Sequence, residues 1–229
     1  MYTRGILVLL ISTFVISCSD SKSDEENIDL GYNYFPTQVG ATWIYDVDSL
    51  IYDDNTGQTT IDTVTYQYKE QITGVYKDVT GETAQLISRY YRYSDTLPWT
   101  VLNQSTQMLT ALNAQRVQEN TRYVKLVFPL AKNKTWNGNL YNALDAAPYK
   151  VSYLDEQLIV GNTSYPLTVK VQQKNEENAV KEIIRYEVYA RNVGLVYSLS
   201  DSLDTQYTLS GDPLTRGYRY RFTLVSYTP

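Results

Sequence analysis

Cys18 is the only thiol in a 229-residue chain that contains no histidine, and these two facts restrict its chemistry more than any motif does. Without an imidazole, neither a Cys-His nucleophile nor a Ser-His-Asp relay can be assembled. The nitrogen and sulfur ligand sets of zinc and copper are missing too, so no metal and no cofactor is expected. Asp53, Asn55 and Gly57 loosely match the opening of a calcium loop, but Val64 stands where the closing bidentate Glu belongs, which leaves an ordinary turn. Acid–base chemistry would have to rest on two carboxylates, as in glycoside hydrolysis, and spacing singles out no such pair. A protein that is not an enzyme is therefore expected. The other resource is aromatic: 23 tyrosines and 3 tryptophans offer flat amphipathic surfaces for stacking or for a core.

The elements around Cys18 decide where that chemistry works. Arg4 precedes an apolar run, Ile6 to Ile16, too short for a membrane span, which needs about 20 residues. Val15-Ile16-Ser17-Cys18 resembles the lipobox of bacterial lipoproteins, which implies cleavage before Cys18 and acylation of its thiol. Two or three acyl chains anchor a protein durably, since each buried methylene contributes about 0.8 kcal/mol. Ser19 to Asn27 is polar throughout and reads as a solvated acidic tether. An acidic run just after a lipidated cysteine resembles the signal that sends some lipoproteins to the outer face of the outer membrane. Ser19, rather than an aspartate, argues by the same analogy against retention in the inner membrane. The expected organisation is a signal peptide at 1–17, a lipidated cysteine and flexible tether at 18–33, and one domain at 34–229.

That domain reads as all-β. Tyrosine, threonine and valine suit a pleated surface wet on one side. Trp43, Tyr45, Val47, Ser49 and Ile51 alternate with Asp46 and Asp48; Tyr218, Tyr220, Phe222 and Leu224 alternate with Arg219 and Arg221. Val124, Leu126 and Phe128 form another inward face, as do Ile184, Tyr186, Val188 and Ala190. Gly161-Asn162 marks a hairpin, residues 98–121 lean to strand without declaring their faces, and residues 142–147 are expected to make a helical turn. About ten strands joined by tight turns predict one antiparallel, strongly curved sheet, either a half-open barrel or a sandwich. The charge of −5, from 20 basic and 25 acidic residues without a basic run, excludes a nucleic-acid footprint.

The chain also repeats itself: Phe35-Pro36 leads to Thr42-Trp43, and Phe128-Pro129 leads over the same spacing to Thr135-Trp136. Two aromatic platforms are one reading, and two tryptophans plugging the ends of a core are the favoured one. The Phe35 to Trp43 motif, with Gly40 inside it, and Tyr189-Ala190-Arg191-Asn192-Val193-Gly194-Leu195-Val196-Tyr197 resemble a family of uncharacterised outer-membrane lipoproteins of Gram-negative bacteria. The resemblance spans nearly the whole mature chain and implies an address, with no activity or ligand. Asn133 departs from it, standing where a glycine matching Gly40 is expected.

Four Asp-Ser/Thr-hydrophobic tripeptides resemble sites at which some bacteria O-glycosylate exported proteins, with Ser49, Thr63, Thr96 and Ser202 as acceptors. The functional expectation is an outer-membrane binding module for a glycan or an envelope protein. The alternatives are a half-barrel carrier of acyl chains, resembling lipoprotein-localisation factors, and a carboxylate-based hydrolase. Mass spectrometry of native material is expected to find residues 1–17 removed and Cys18 acylated; a bare thiol with the leader attached would refute the address.

Overall fold

The computed structural model describes residues 29–229, so Cys18, the leader and most of the tether lie outside the described residues. A short 3-10 turn, Tyr32–Tyr34, precedes β1 (Thr42–Asp53), β2 (Thr60–Lys77), β3 (Thr83–Arg92), β4 (Thr100–Leu109), β5 (Asn113–Gln118) and β6 (Thr121–Val127). After a corner come β7 (Thr135–Asn137), β8 (Pro148–Val160), β9 (Thr163–Glu177), β10 (Lys181–Ala190), β11 (Gly194–Tyr207) and β12 (Pro213–Thr228). All belong to one antiparallel sheet in the order β6-β5-β4-β3-β2-β1-β12-β11-β10-β9-β8-β7. The all-β, single-sheet expectation holds. The sheet has twelve strands rather than about ten, because residues 98–121 contribute β4 and β5 and the short β7 opens the second half.

The order describes two six-stranded meanders joined along β1 and β12, with β6 and β7 left to meet at the far side. They do meet: Val124 N–H donates to Gly138 O at 2.9 Å, and the Trp136 indole donates to Val124 O at 2.9 Å. The sheet thus curls into a nearly closed barrel. Its outer wall carries Asp46, Asp48, Arg219 and Arg221 on the faces opposite the inward tyrosines, charges that a lipid-facing wall could not hold.

The repeated motif builds the same corner twice. Gly40 N–H donates to Ile72 O and Ile72 N–H to Ala41 O; in the second half Asn133 N–H donates to Val151 O and Val151 N–H to Lys134 O. Gly40 and Asn133 both have left-handed backbone, φ 101° and 66°. Asparagine tolerates that region better than other side chains, so Asn133 holds the backbone conformation that Gly40 holds in the first corner.

Alternate ends of the barrel differ. Residues 29–41 lie across one mouth: Leu30 O accepts from Leu130 N–H, Asn33 O from Asn192 N–H, and Pro36 O from the Gln107 amide. Tyr34 and Phe35 are fully buried there with Leu126, Phe128, Val169 and Val171. Residues 29–33, expected to belong to the flexible tether, are therefore part of the domain. Trp43, Tyr45 and Val47 fill the adjoining layer with Ile72, Ile87 and Leu224. Residues 142–147 form a loop instead of the expected helical turn, because Asn side chains take its backbone donors: Asn142 Oδ1 accepts from Leu144 N–H and Asn137 Oδ1 from Ala147 N–H.

Gly217, φ 133°, sits in β12 opposite Leu203, where a Cβ would collide with the carbonyl oxygen of Ser202. Backbone cannot yield there without breaking the ladder. Gly217→Ala is expected to cost about 3 kcal/mol in urea unfolding; a change below a few tenths of that would show the β11–β12 register to be wrong.

Candidate functional site

A twelve-stranded barrel is wider than its side chains can fill, and the mouth opposite residues 29–41 stays open. There the interior faces of β2, β6, β8, β10, β11 and β12 enclose a cavity of about 890 Å³. Its walls are aromatic and hydroxylic: Tyr66, Tyr123, Tyr149, Tyr218, Tyr220 and Phe222, with Ser198 and Ser200 between them. Strand alternation places these residues. Ser200 pairs with Tyr220 and Ser198 with Phe222, so small hydroxylic side chains leave room beside large rings. The rim comes from the β5–β6 and β7–β8 connections, represented by Glu119 and Leu144, and from Lys174 near the end of β9.

Two bulges break the alternation and send polar groups inward. Ala114 pairs with Leu126 and Gln115 with Val124, so Lys125 is the extra residue of β6. Arg185 pairs with Lys174 and Tyr186 with Gln172, so Gln173 is the extra residue of β9. Both line the cavity, consistent with the tendency of bulges to re-aim side chains at sites. Lys125 Nζ donates to Glu187 Oε1 at 2.7 Å across the barrel, and the Tyr189 hydroxyl donates to Glu187 Oε2 at 2.6 Å. Beneath, Glu70 accepts from Arg89 Nε at 3.1 Å, from the Tyr68 hydroxyl at 3.0 Å and from Arg116. Glu70, Arg89, Lys125 and Glu187 are all at most 6 % exposed, so every charge in the floor is desolvated and held by a partner.

Burial by itself would raise both carboxyls. For Glu70 the charges of Arg116 and Arg89 outweigh it, and for Glu187 the charge and hydrogen bond of Lys125 do so; both carboxyls end below their ordinary values. Burial and then the Glu187 charge raise the Tyr149 phenol, which stays a neutral donor. Neither floor carboxylate has the raised affinity for a proton that a general acid requires. The arrangement can bind; it presents hydroxyl donors, ring faces and fixed charge around one concave space.

The candidate residues read from sequence do not gather here. Ser49 is 7 % exposed and turned into the barrel, Ser202 is half-buried opposite Tyr218, and Thr63 and Thr96 are exposed on the outside. Asp53 Oδ1 accepts from Asn55 N–H at 2.8 Å, the ordinary hairpin turn that the failed calcium pattern implies. Trp43 is buried, its indole donating to Val193 O at 2.6 Å and its ring stacked on Tyr227; Trp136 is half-buried at the β6–β7 seam. Neither is an exposed platform, in keeping with the core reading. Lys125, Gln173, Arg185 and Glu187 were not singled out by sequence, although a lone Lys between Val124 and Leu126 and a lone Glu between Tyr186 and Val188 were a signal: a charge set inside an apolar run.

On the outer wall the β8–β9 hairpin bends over β10 and β11 and encloses a second, shallower space of about 380 Å³ between Tyr153, Leu158, Val160, Tyr186 and Tyr197. Lys170 Nζ sits 3.7 Å from the Tyr186 ring centre, and burial depresses its affinity for a proton.

No protein-family model matches the chain, and no curated protein matches it in sequence. Among solved structures, a protein of Parabacteroides distasonis described as a candidate lipoprotein is similar at 10 % identity, over 85 % of this chain and 98 % of that one, with a TM-score of 0.39.

The floor predicts both a mutational and a pH signature. Lys125→Met alone is expected to cost about 3–5 kcal/mol in urea unfolding, and Lys125→Met with Glu187→Leu to recover most of that loss. Because Glu70 and Glu187 titrate lower folded than unfolded, their stabilisation is complete above about pH 4.3, the unfolded value, and drains as pH falls through the depressed folded values. Acid titrations of wild type and the double variant, read by circular dichroism, should differ in that window; identical curves would refute the assignment.

Proposed function

We propose that this protein is a lipid-anchored outer-membrane binding protein, not an enzyme, whose barrel is a cup for a glycan. The observation that carries the reading is the position of the tyrosine-lined cavity at the mouth opposite residues 29–41. The chain enters the domain at the closed end, where Asp29 is fixed by Arg191 in the β10–β11 turn. An anchor upstream would thus join the domain at its closed end, which leaves the open mouth free for a ligand. The lipobox and the acidic run after it support the outer membrane, facing outward, as the place.

A sugar suits the walls better than an acyl chain does. Sugars present C–H faces to rings and hydroxyls to polar edges, and the cavity offers both kinds of surface. An alkyl chain in the same space would bury the Arg185 guanidinium against hydrocarbon without repaying its desolvation. The carrier alternative fits the outer space under the β8–β9 hairpin better, where Leu158, Val160 and Val188 supply apolar lining. A flat protein partner has no counterpart to the depth of the lumen.

Tyr66→Ala and Tyr220→Ala remove neighbouring ring faces from one wall of the mouth, on the two strands that flank β1. Each is expected to weaken binding of hits from an oligosaccharide array about tenfold, as calorimetry with the protein in lipid nanodiscs would read. Binding of a medium-chain fatty acid, with no oligosaccharide bound and the tyrosine variants behaving as wild type, would overturn the glycan reading in favour of the carrier.

A further inference from the structure

Three cations and two carboxylates line the cavity: Lys125, Lys174 and Arg185 with Glu119 and Glu187. Lys125 is matched by Glu187, and at the rim Lys174 is matched by Glu176 at 2.9 Å. Arg185 has no carboxylate partner among the described residues: its Nη2 donates to the Tyr218 hydroxyl at 3.1 Å, and its Nε is buried without any partner. Beside it on the β9–β10 ladder, the bulge residue Gln173 holds an amide nitrogen that is likewise buried and unpartnered. Both side chains line the same space in a chain whose formal charge is −5. Elsewhere inside the barrel, guanidinium and ammonium groups have been given carboxylates; this one has been given a phenol and an opening.

We infer that Arg185 and Gln173 form the subsite for a carboxylate carried by the ligand, so that the glycan this cup takes is an acidic one of the uronate type. The inference rests on the glycan reading and deepens it. A guanidinium presents a planar fork that matches a carboxylate and makes shorter, stronger hydrogen bonds to it than to neutral oxygen. Partial burial removes competing water and strengthens the pairing. The carboxylate would take one oxygen to Arg185 Nε or Nη and the other to the Gln173 amide, while Tyr218, already bonded to Arg185, holds the fork in place. Tyr66 and Tyr220 would then meet the sugar faces. Ser198 and Ser200, short and hydroxylic, leave the width that a pyranose ring needs.

The test uses an array of neutral and uronate-bearing oligosaccharides, the latter printed both as free acids and as carboxyl-methyl esters, probed with the intact lipoprotein in nanodiscs. Signal confined to free acids and lost on methylation is the expected result. Arg185→Gln should weaken the best free acid about tenfold and Gln173→Leu by about a third of that factor, each moving it toward the level of its methyl ester. Rising salt should weaken wild type toward the Arg185→Gln value. Melting curves matching wild type establish that the variants fold, and the ester comparison on wild type decides the matter even if they do not. Equal binding of acids, esters and neutral glycans would overturn the carboxylate subsite while leaving the glycan cup intact. No signal on any sugar would overturn both.

Discussion

The structure depends on one geometric constraint: twelve strands enclose more width than side chains can span. A barrel of this size must bring in extra chain, use its longest side chains, or stay partly empty. This one does all three, in order along its axis. Residues 29–41 are drawn across one mouth and bury Tyr34 and Phe35. The next layer is bridged by long charged side chains: Glu70 takes Arg89 from the neighbouring strand and Arg116 from β5, and Lys125 of β6 reaches Glu187 of β10. Beyond that layer the width is left open, and tyrosine lines it. Ring bodies cover the sheet while hydroxyls tolerate the water or ligand inside, which explains why a chain with 23 tyrosines needs only 4 phenylalanines.

Duplication explains how so long a sheet closes. Each half starts at the same Phe-Pro to Thr-Trp corner and runs as a meander away from it. The two halves are then sewn together by the full-length β1–β12 ladder on one side and by a few bonds around Val124 on the other. The second seam is short because β7 is only three residues long. Trp136 compensates by donating its indole N–H to the very carbonyl that the missing ladder would have used. The tryptophans are thus structural in different ways, Trp43 under the plug and Trp136 at the seam.

Most of the wall was legible in the sequence, because exterior and interior of a barrel differ and strands alternate between them. β1 and β12 show Asp46, Asp48, Arg219 and Arg221 on one parity and aromatics on the other, and the structure keeps that division. Legibility failed where both faces are covered. In β10, Glu187 and Tyr189 are buried inside while Val188 and Ala190 are buried beneath the β8–β9 hairpin, so Glu187 sits in an apolar run and alternation carries no sign of which side is the lumen. In β3, Gln85, Ser88 and Arg89 are all buried beside Ile87, so its pattern of polar and apolar residues declares no inner face. The loop 142–147 misled for a local reason, since asparagine side chains satisfy its donors from positions that helical spacing does not reveal.

The site was illegible for a reason that also explains how it exists. Period-two reading assumes that every residue has a partner across the ladder; at Lys125 and Gln173 the ladder skips one residue, and the side chain that should point outward points in. A barrel with perfect alternation would present the lumen with the residues an amphipathic strand supplies, tyrosine, serine and valine, and would have no economical way to add a fixed cation near the wall. A skipped residue inserts one polar group without disturbing the pattern before or after it. Lys125 needed this device to reach Glu187, and Gln173 needed it to stand beside Arg185. Two discontinuities in the sheet therefore put these polar groups into the lumen, and a sequence reading that treats register shifts as noise will miss them.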